Sequence, residues 1–358
     1  MLFRSPSTIA PESELRALTG VLGEMGRGVF MMATGSRATP EIMESIAAET
    51  GRPAYISTVL SMYNEAKPEL SMSYYERAAQ ALSRGHELYI LTSCQPLSFD
   101  FTLHDPYVLL SHSAFDAVKA AQPHELMGIY ANPDFRRAFR ANLAHPKTGI
   151  LFLGNWSHIE VGQTARPEHQ ALEGLRISDL AHQRGQDPLD AFFDLAISEH
   201  LDTHFVGKFF QNRDEGVAPL LRHPASVVTL SDAGAHLSYM CDAGFGLHLL
   251  SHWVRETGCF TLAEGIRRLT SEPAQRFRIP RRGRLQLGMP ADLLLFDPDT
   301  VGMSRPLPRH DLPAGGQRMI REPRGVHGVW VNGTQVFDGQ RQLPLVSGPG
   351  HVLDQFEV

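Results

Sequence analysis

The stretch Val227-Val228-Thr229-Leu230-Ser231-Asp232-Ala233-Gly234-Ala235-His236 is an apolar, β-branched run that stops at an aspartate, three small residues and a histidine. Its first four residues suffice for a strand core. The polar edge that follows is where α/β proteins gather chemistry. An aspartate at that edge can take up a proton or hold a metal, and it can equally cap the helix that follows.

Upstream, residues 12–25 carry Leu15, Leu18, Val21 and Leu22 on one helical face, and Gly26-Arg27-Gly28 releases the chain into a strand-like run at 29–33. The same cycle predicts a helix at 40–49 with a strand at 54–60, then a helix at 74–84 with a strand at 88–92. A further cycle places a strand at 149–153, helices across 178–200 and a strand at 226–230 leading to Asp232. Repeated αβ units with apolar strands predict a parallel sheet.

Past residue 280 the texture changes to Gly, Pro and short β segments at 291–297 and 328–339. Asn332-Gly333 between two alternating runs predicts a type I′ hairpin. Residues 303–324, with Pro306, Pro308, Pro313, Gly315 and Gly316, read as an irregular crossing loop.

With 358 residues, 42% hydrophobic and 20% charged, the chain has room for one large α/β domain and a small appendage. Lys+Arg 33 against Asp+Glu 39 gives a net charge of -6 with no basic run, which argues against a nucleic-acid partner. The start lacks the apolar core of a signal peptide, and no segment approaches the roughly 18 apolar residues of a membrane span. The expectation is a soluble, cytoplasmic protein with no membrane partner. Cys94, Cys241 and Cys259 form no Cys-x-x-Cys pair, which argues against a disulfide framework or a zinc ribbon.

Other candidates each carry two readings. Cys94 closes a predicted strand and reads as a thiolate ligand or as a small buried hydrophobe. Asn155, Trp156, Ser157, His158 and Glu160 follow an apolar run; they suit an acyl chain or a carboxylate, or form an ordinary polar loop. His236 either orients substrate or hydrogen-bonds within its loop. Cys241 and Asp242 either line the same mouth or pack the loop. His248 and His252 share a predicted helical face, and without a Glu beside the first His they are expected to pack rather than ligate.

Two blocks carry a resemblance. Gly283-Arg284-Leu285, Gly288-Met289-Pro290-Ala291-Asp292-Leu293-Leu294-Leu295-Phe296-Asp297 and Val329-Trp330-Val331-Asn332-Gly333 resemble the C-terminal tail of the amidohydrolase superfamily. Ser231-Asp232-Ala233-Gly234-Ala235-His236, Cys241-Asp242-Ala243 and Leu249-Leu250-Ser251-His252-Trp253 are similar to its D-aminoacylase branch, and the likeness extends back to Gly26-Arg27-Gly28-Val29-Phe30. The resemblance implies an α/β fold: a partial (β/α)8 TIM-type barrel over 1–280 with a small C-terminal β-sandwich-like domain over 281–358.

It also implies a metal-dependent hydrolase of non-peptide C–N amide bonds that deacylates N-acyl-D-amino acids, with zinc as its metal and a small-molecule partner. Asp232 matches the family's general base, which takes a proton from metal-bound water and returns it to the leaving nitrogen. On this resemblance Asp232 and Cys94 are the metal candidates, and His236, Asn155 and His158 the substrate-binding ones.

The chain also departs from the family pattern. It has no His-x-His, Ser57-Thr58-Val59 and Thr92-Ser93-Cys94 stand where the branch usually carries histidine, and its first residues resemble the middle of the family barrel. About five of eight strands are therefore expected, with roughly the first third of the family pattern lacking a counterpart. The alternative is a catalytically inactive, truncated amidohydrolase serving as a binding or dimerisation module, its open edges covered by a homo-oligomer partner.

Overall fold

The computed structural model describes residues 10–35, 38–57, 61–146, 150–229, 241 and 243–353. Its first part alternates as the periodicities require: α1 (Glu12–Met25), β1 (Phe30–Met32), α2 (Pro40–Thr50), β2 (Ala54–Ile56), α3 (Pro68–Ser83) and β3 (Leu88–Thr92). Gly26 ends α1 at φ 62, a left-handed conformation that favours glycine. Thr39 begins α2 by accepting from Ile42 N at 3.3 Å, with Pro40 in the first turn.

The chain then makes a long excursion through β4 (Leu97–Phe101), α4 (Asp116–Ala120), α5 (Leu126–Ala131), α6 (Pro133–Ala144), β5 (Ile159–Gln163), α7 (Ile177–Arg184), α8 (Pro188–Ser198) and β6 (His204–Phe210). It returns through α9 (Asp214–Arg222) to β7 (Ser226–Val228). β7 lies parallel to β3, with Ile90 opposite Ser226, so the described strands order as β1-β2-β3-β7, all parallel.

Strand alternation sorts this sheet's side chains. Phe30, Ala54, Ile56, Leu88 and Ile90 pack on Met43, Ile46, Tyr75, Ala78 and Ala81 of α2 and α3. Tyr55, Leu91 and Val227 face the other way onto Phe277. There the Tyr55 ring stacks on Phe277 at 4.5 Å, and its hydroxyl donates to Arg276 O at 2.7 Å.

The excursion departs from the expected parallel pattern. β4 and β5 flank β6 in an antiparallel sheet, and helices close over it around Phe101, Phe115, Tyr130, Phe135, Phe139, Phe152, Phe192, Phe193 and Phe205. The strand expected at 149–153 is not one: described residues 150–153 have no ladder. Phe152 instead fills the aromatic core, its carbonyl accepting from His112 Nε2 at 3.0 Å. Pairing falls to β5, beyond Gly154 at φ 94, where the chain can turn.

After β7, α10 (Phe245–His248) continues as a π-helix over Leu249–Glu256, followed by α11 (Leu262–Leu269) and α12 (Ser271–Arg276). The C-terminal strands are β8 (Leu293–Phe296), β9 (Gly302–Met303), β10 (Leu307–Leu312), β11 (Gly316–Ile320), β12 (Pro323–Arg324), β13 (Val326–Val331) and β14 (Thr334–Phe337). β14-β13-β8 form an antiparallel sheet. Its turn has Asn332 at φ 46 and Gly333 at φ 81, the signs a type I′ turn requires.

The region expected as an irregular loop, 303–324, is instead largely paired. β10 and β11 form a hairpin and β9 joins β12. Pro308 is accommodated because a two-stranded ladder has only edges, where a missing N–H is tolerated. No helix among the described residues is long and apolar enough to cross a membrane.

Candidate functional site

The C-terminal ends of the parallel strands meet at one edge. Ser57 N donates to Met32 O at 2.9 Å and Thr229 N to Thr92 O at 3.1 Å, which keeps the strand exits level. Beneath them, Thr92 Oγ1 lies 2.9 Å from the Tyr75 hydroxyl and accepts from Ser226 Oγ at 2.8 Å, and burial pushes the Tyr75 phenol up. This edge is therefore tied by a buried hydroxyl network rather than by charges.

Gln211 docks the excursion onto that edge. It sits at φ 54, and its amide group spans two loops. Nε2 donates to Ser93 O at 2.6 Å, while Oε1 accepts from Tyr63 N at 2.7 Å. Its backbone N–H adds a bond to Tyr63 O at 3.0 Å. A non-glycine residue in that conformation costs roughly 1–3 kcal/mol and persists only when its surroundings over-determine it; here three hydrogen bonds do so.

The residues next to this latch form the polar cluster of the site. Glu65 follows Tyr63, Asn212 and Arg213 follow Gln211, and Asn155 and His158 come from the turn before β5. His158 Nε2 lies 3.1 Å from Asn155 Nδ2, 3.2 Å from Asn212 Nδ2 and 3.2 Å from Glu65 Oε2. Arg213 pairs with Glu65. Burial holds the His158 imidazole below the usual histidine range; Glu65 opposes that shift while Arg213 and Arg176 reinforce it. The side chain keeps 16% exposure, enough for one ring edge to meet a ligand.

Asn155 and His158, both singled out from sequence, are thus hydrogen-bonded to each other. Cys94 lies at the end of β3 but points into a core of Val217, Leu221, Val228, Leu249, Trp253 and Phe260. Its thiol donates to Phe245 O at 3.1 Å, and its carbonyl accepts from Trp253 Nε1 at 2.5 Å. Asp232, His236 and Asp242 lie outside the described residues.

His248, the last residue of α10, and His252, on the π-helix that continues it, stack face to face at 5.0 Å. His252 reaches Asp214 at 2.9 Å through Nε2 and Glu256 at 3.0 Å through Nδ1. Burial, with His252 beside it, pushes His248 down to about 3. Both rings border a cavity of about 390 Å³ shared with Glu160, Lys208 and Met303.

Among the described residues no group of three or more His, Cys, Asp or Glu is placed to hold a metal ion. With the Cys94 thiol turned to a carbonyl, these residues do not by themselves fit a zinc ion, which takes about three protein ligands at a catalytic site.

Sequence reading missed Glu65, Gln211, Asn212 and Arg213. Only tertiary closure joins Glu65 to Arg213, 148 positions apart. The available signal was a polar loop leaving a parallel strand at its C-terminal end.

A parallel sheet backed by helices, with polar groups collected beyond its strand ends, defines an α/β scaffold of the enzyme type. Residues 1–337 match the amidohydrolase family, and the chain belongs to that family, in its D-aminoacylase-like branch.

An N-acyl-D-aspartate deacylase of Alcaligenes xylosoxydans xylosoxydans is 36% identical over 110 residues, 30% of this chain and 19% of that protein. The structure of an N-acyl-D-glutamate deacylase from Bordetella bronchiseptica, complexed with zinc and a phosphonate inhibitor, superposes with TM-score 0.51 at 22% identity. It covers 98% of this chain and 61% of that one. A D-aminoacylase structure gives TM-score 0.53 at 19% identity, over 95% and 59%. At these identities the likeness speaks for the fold, and the chain spans about three-fifths of the length of the two solved relatives.

Proposed function

We propose that this chain forms the catalytic face of an amidohydrolase that cleaves the C–N amide bond of N-acyl-D-amino acids in the cytoplasm. The reading is carried by the meeting of Asn155, His158, Glu65, Asn212 and Arg213 beside the ends of β2 and β3, in a chain of this family. Residues 1–280 form part of a (β/α)8 barrel, and 281–358 a C-terminal β domain.

Asp232, three positions beyond the last described residue after β7, carries the proton. Its carboxylate removes a proton from water as the water oxygen adds to the amide carbon. It then delivers that proton to the nitrogen as the C–N bond breaks, giving a free amine and a carboxylic acid, whose remaining proton is lost to the amine or to solvent. Asn155, His158 and His236 hold the polar groups of the substrate. Asp232 is the metal donor of this reading and zinc its metal; because the Cys94 thiol is engaged by the Phe245 carbonyl and the described residues do not complete a zinc site, no step is assigned to the metal.

The test is amine release from N-acetyl-D- and N-acetyl-L-amino acids by the full chain, with and without added zinc. Release from the D-series, abolished by Asp232→Asn, is expected. Release from neither series overturns the reading, and unchanged turnover in Asp232→Asn removes that residue from it.

A second reading, a non-catalytic binding or dimerisation module, is favoured by strongly exposed Leu285, Leu287, Val346 and Val352 in the C-terminal part. Sedimentation of the chain at rising concentration distinguishes it.

A further inference from the structure

The polar cluster determines where the proton of His158 sits. Asn155 Oδ1 accepts from Ser157 N at 3.2 Å and from Ser157 Oγ at 2.7 Å, so its Nδ2 must be the atom aimed at the imidazole. Asn212 is fixed independently: its Nδ2 donates to Lys208 O at 3.0 Å, and a flipped amide would set Oδ1 against that carbonyl. Two amides, oriented by different partners, therefore direct N–H groups at one ring nitrogen. A nitrogen that receives two donors presents its lone pair, which leaves the ring proton on Nδ1.

The competing arrangement has Nε2–H donating to Glu65 Oε2, also 3.2 Å away. It requires both amides to turn, exposing Asn155 to Ser157 N–H and Asn212 to Lys208 O. Glu65 is in any case engaged by the Arg213 guanidinium. Nδ1 itself makes no hydrogen bond among the described residues and is not among their buried unpartnered atoms, so in a side chain of 16% exposure it is not fully buried.

We propose that Asn155 and Asn212 lock His158 in the Nδ1–H tautomer, making it a fixed donor for an acceptor oxygen of the bound acyl compound, with Asn212 as the positioning residue. The inference rests on the amide-hydrolase reading for the identity of that compound, but the tautomer does not depend on it. A neutral imidazole of fixed tautomer donates to a carbonyl or carboxylate oxygen without inviting proton transfer at neutral pH. The charged groups facing the ring are Glu65, Arg213 and Arg176; protonating Nε2 would confront two N–H donors while gaining only the shared Glu65 carboxylate.

The experiment is a nitrogen-15 correlation spectrum of the labelled full chain, with the His158 ring assigned by its loss in His158→Gln. An unprotonated Nε2 and a protonated Nδ1 at about pH 8, with a titration midpoint below the ordinary 6.5, are expected. A protonated Nε2, or a midpoint at or above the ordinary 6.5, overturns the lock.

Asn212→Asp replaces a donor by an acceptor and should draw a proton onto Nε2 with a midpoint above 6.5. It should also raise KM for N-acetyl-D-alanine by about tenfold or more, with a smaller change in kcat. Asn212→Ser, which keeps a hydroxyl donor, should restore part of that loss. A moved tautomer with unmoved KM overturns the donor role.

If the chain hydrolyses nothing, binding is read directly as movement of the Nδ1–H resonance on adding N-acetyl-D-alanine. A resonance that stays still overturns the ligand role, and one that moves without turnover faults the hydrolase reading alone.

Discussion

Replacing Glu199 by glutamine should loosen the excursion far more than an isosteric change on a surface would. The carboxylate sits at the end of α8 with its side chain fully buried and is filled by four donors. Oε2 accepts from Ala165 N at 2.9 Å and Thr203 Oγ1 at 2.8 Å; Oε1 accepts from Arg166 N at 3.1 Å and His169 Nδ1 at 2.9 Å. Thr203 can rotate and His169 can change tautomer, but an amide nitrogen on either side faces a backbone N–H that can do neither.

One stranded buried donor costs roughly 1–3 kcal/mol, and the remaining bonds fall from about 1.5–3 to about 0.5–1.5 kcal/mol each on losing the charge. Relief from no longer burying an ion offsets part of this. A net loss of about 2–3 kcal/mol is therefore expected for Glu199→Gln. Urea unfolding monitored together with hydrogen exchange of the 163–173 segment checks it, the Ala165 and Arg166 amides exchanging faster in the variant. A loss under about 0.5 kcal/mol, or unchanged exchange at both amides, refutes the reasoning.

Three further outcomes follow from other contacts. Gly325→Ala should destabilise the C-terminal strands by more than about 2 kcal/mol in thermal unfolding, because φ is +63 and a Cβ would lie 2.5 Å from Val301 N. Gly333→Ala, at φ +81 in open space, should cost only about 1–2 kcal/mol in the same assay. His252 is pushed down by burial but raised overall by its hydrogen bonds to Asp214 and Glu256. The stability it adds is complete below 6.5 and lost as pH rises through the folded value, so the melting-point gap between wild type and His252→Ala should narrow from about pH 6 to about pH 9.

Legibility in the sequence followed the range of the interactions. α1, β3 and the Asn332-Gly333 turn are local: face periodicity, glycine stops and turn chemistry fix them, and they appear where expected. The run at 150–153 looks like a buried strand because both roles demand apolar residues; only the surrounding aromatic rings decide that Phe152 is a plug. β4 and β6 were overlooked although Leu97-Ser98-Phe99-Asp100-Phe101 alternates with period two, a half-buried antiparallel signal.

The site shows the same division. Asn155 and His158 are near in sequence and were legible as a pair. Glu65, Asn212 and Arg213 acquire their meaning only when Gln211 closes the excursion onto Tyr63 and Ser93.

That closure also bears on how such a chain can change over generations. Because Gln211 hydrogen-bonds to Ser93, the excursion leaves and re-enters the parallel sheet at neighbouring points, while its aromatic core is drawn from its own residues. A unit with adjoining ends and a private interior can be lengthened, remodelled or exchanged without disturbing the strands it interrupts. Recombination at this one doorway could swap the polar cluster's ceiling while leaving the floor of strand ends unaltered.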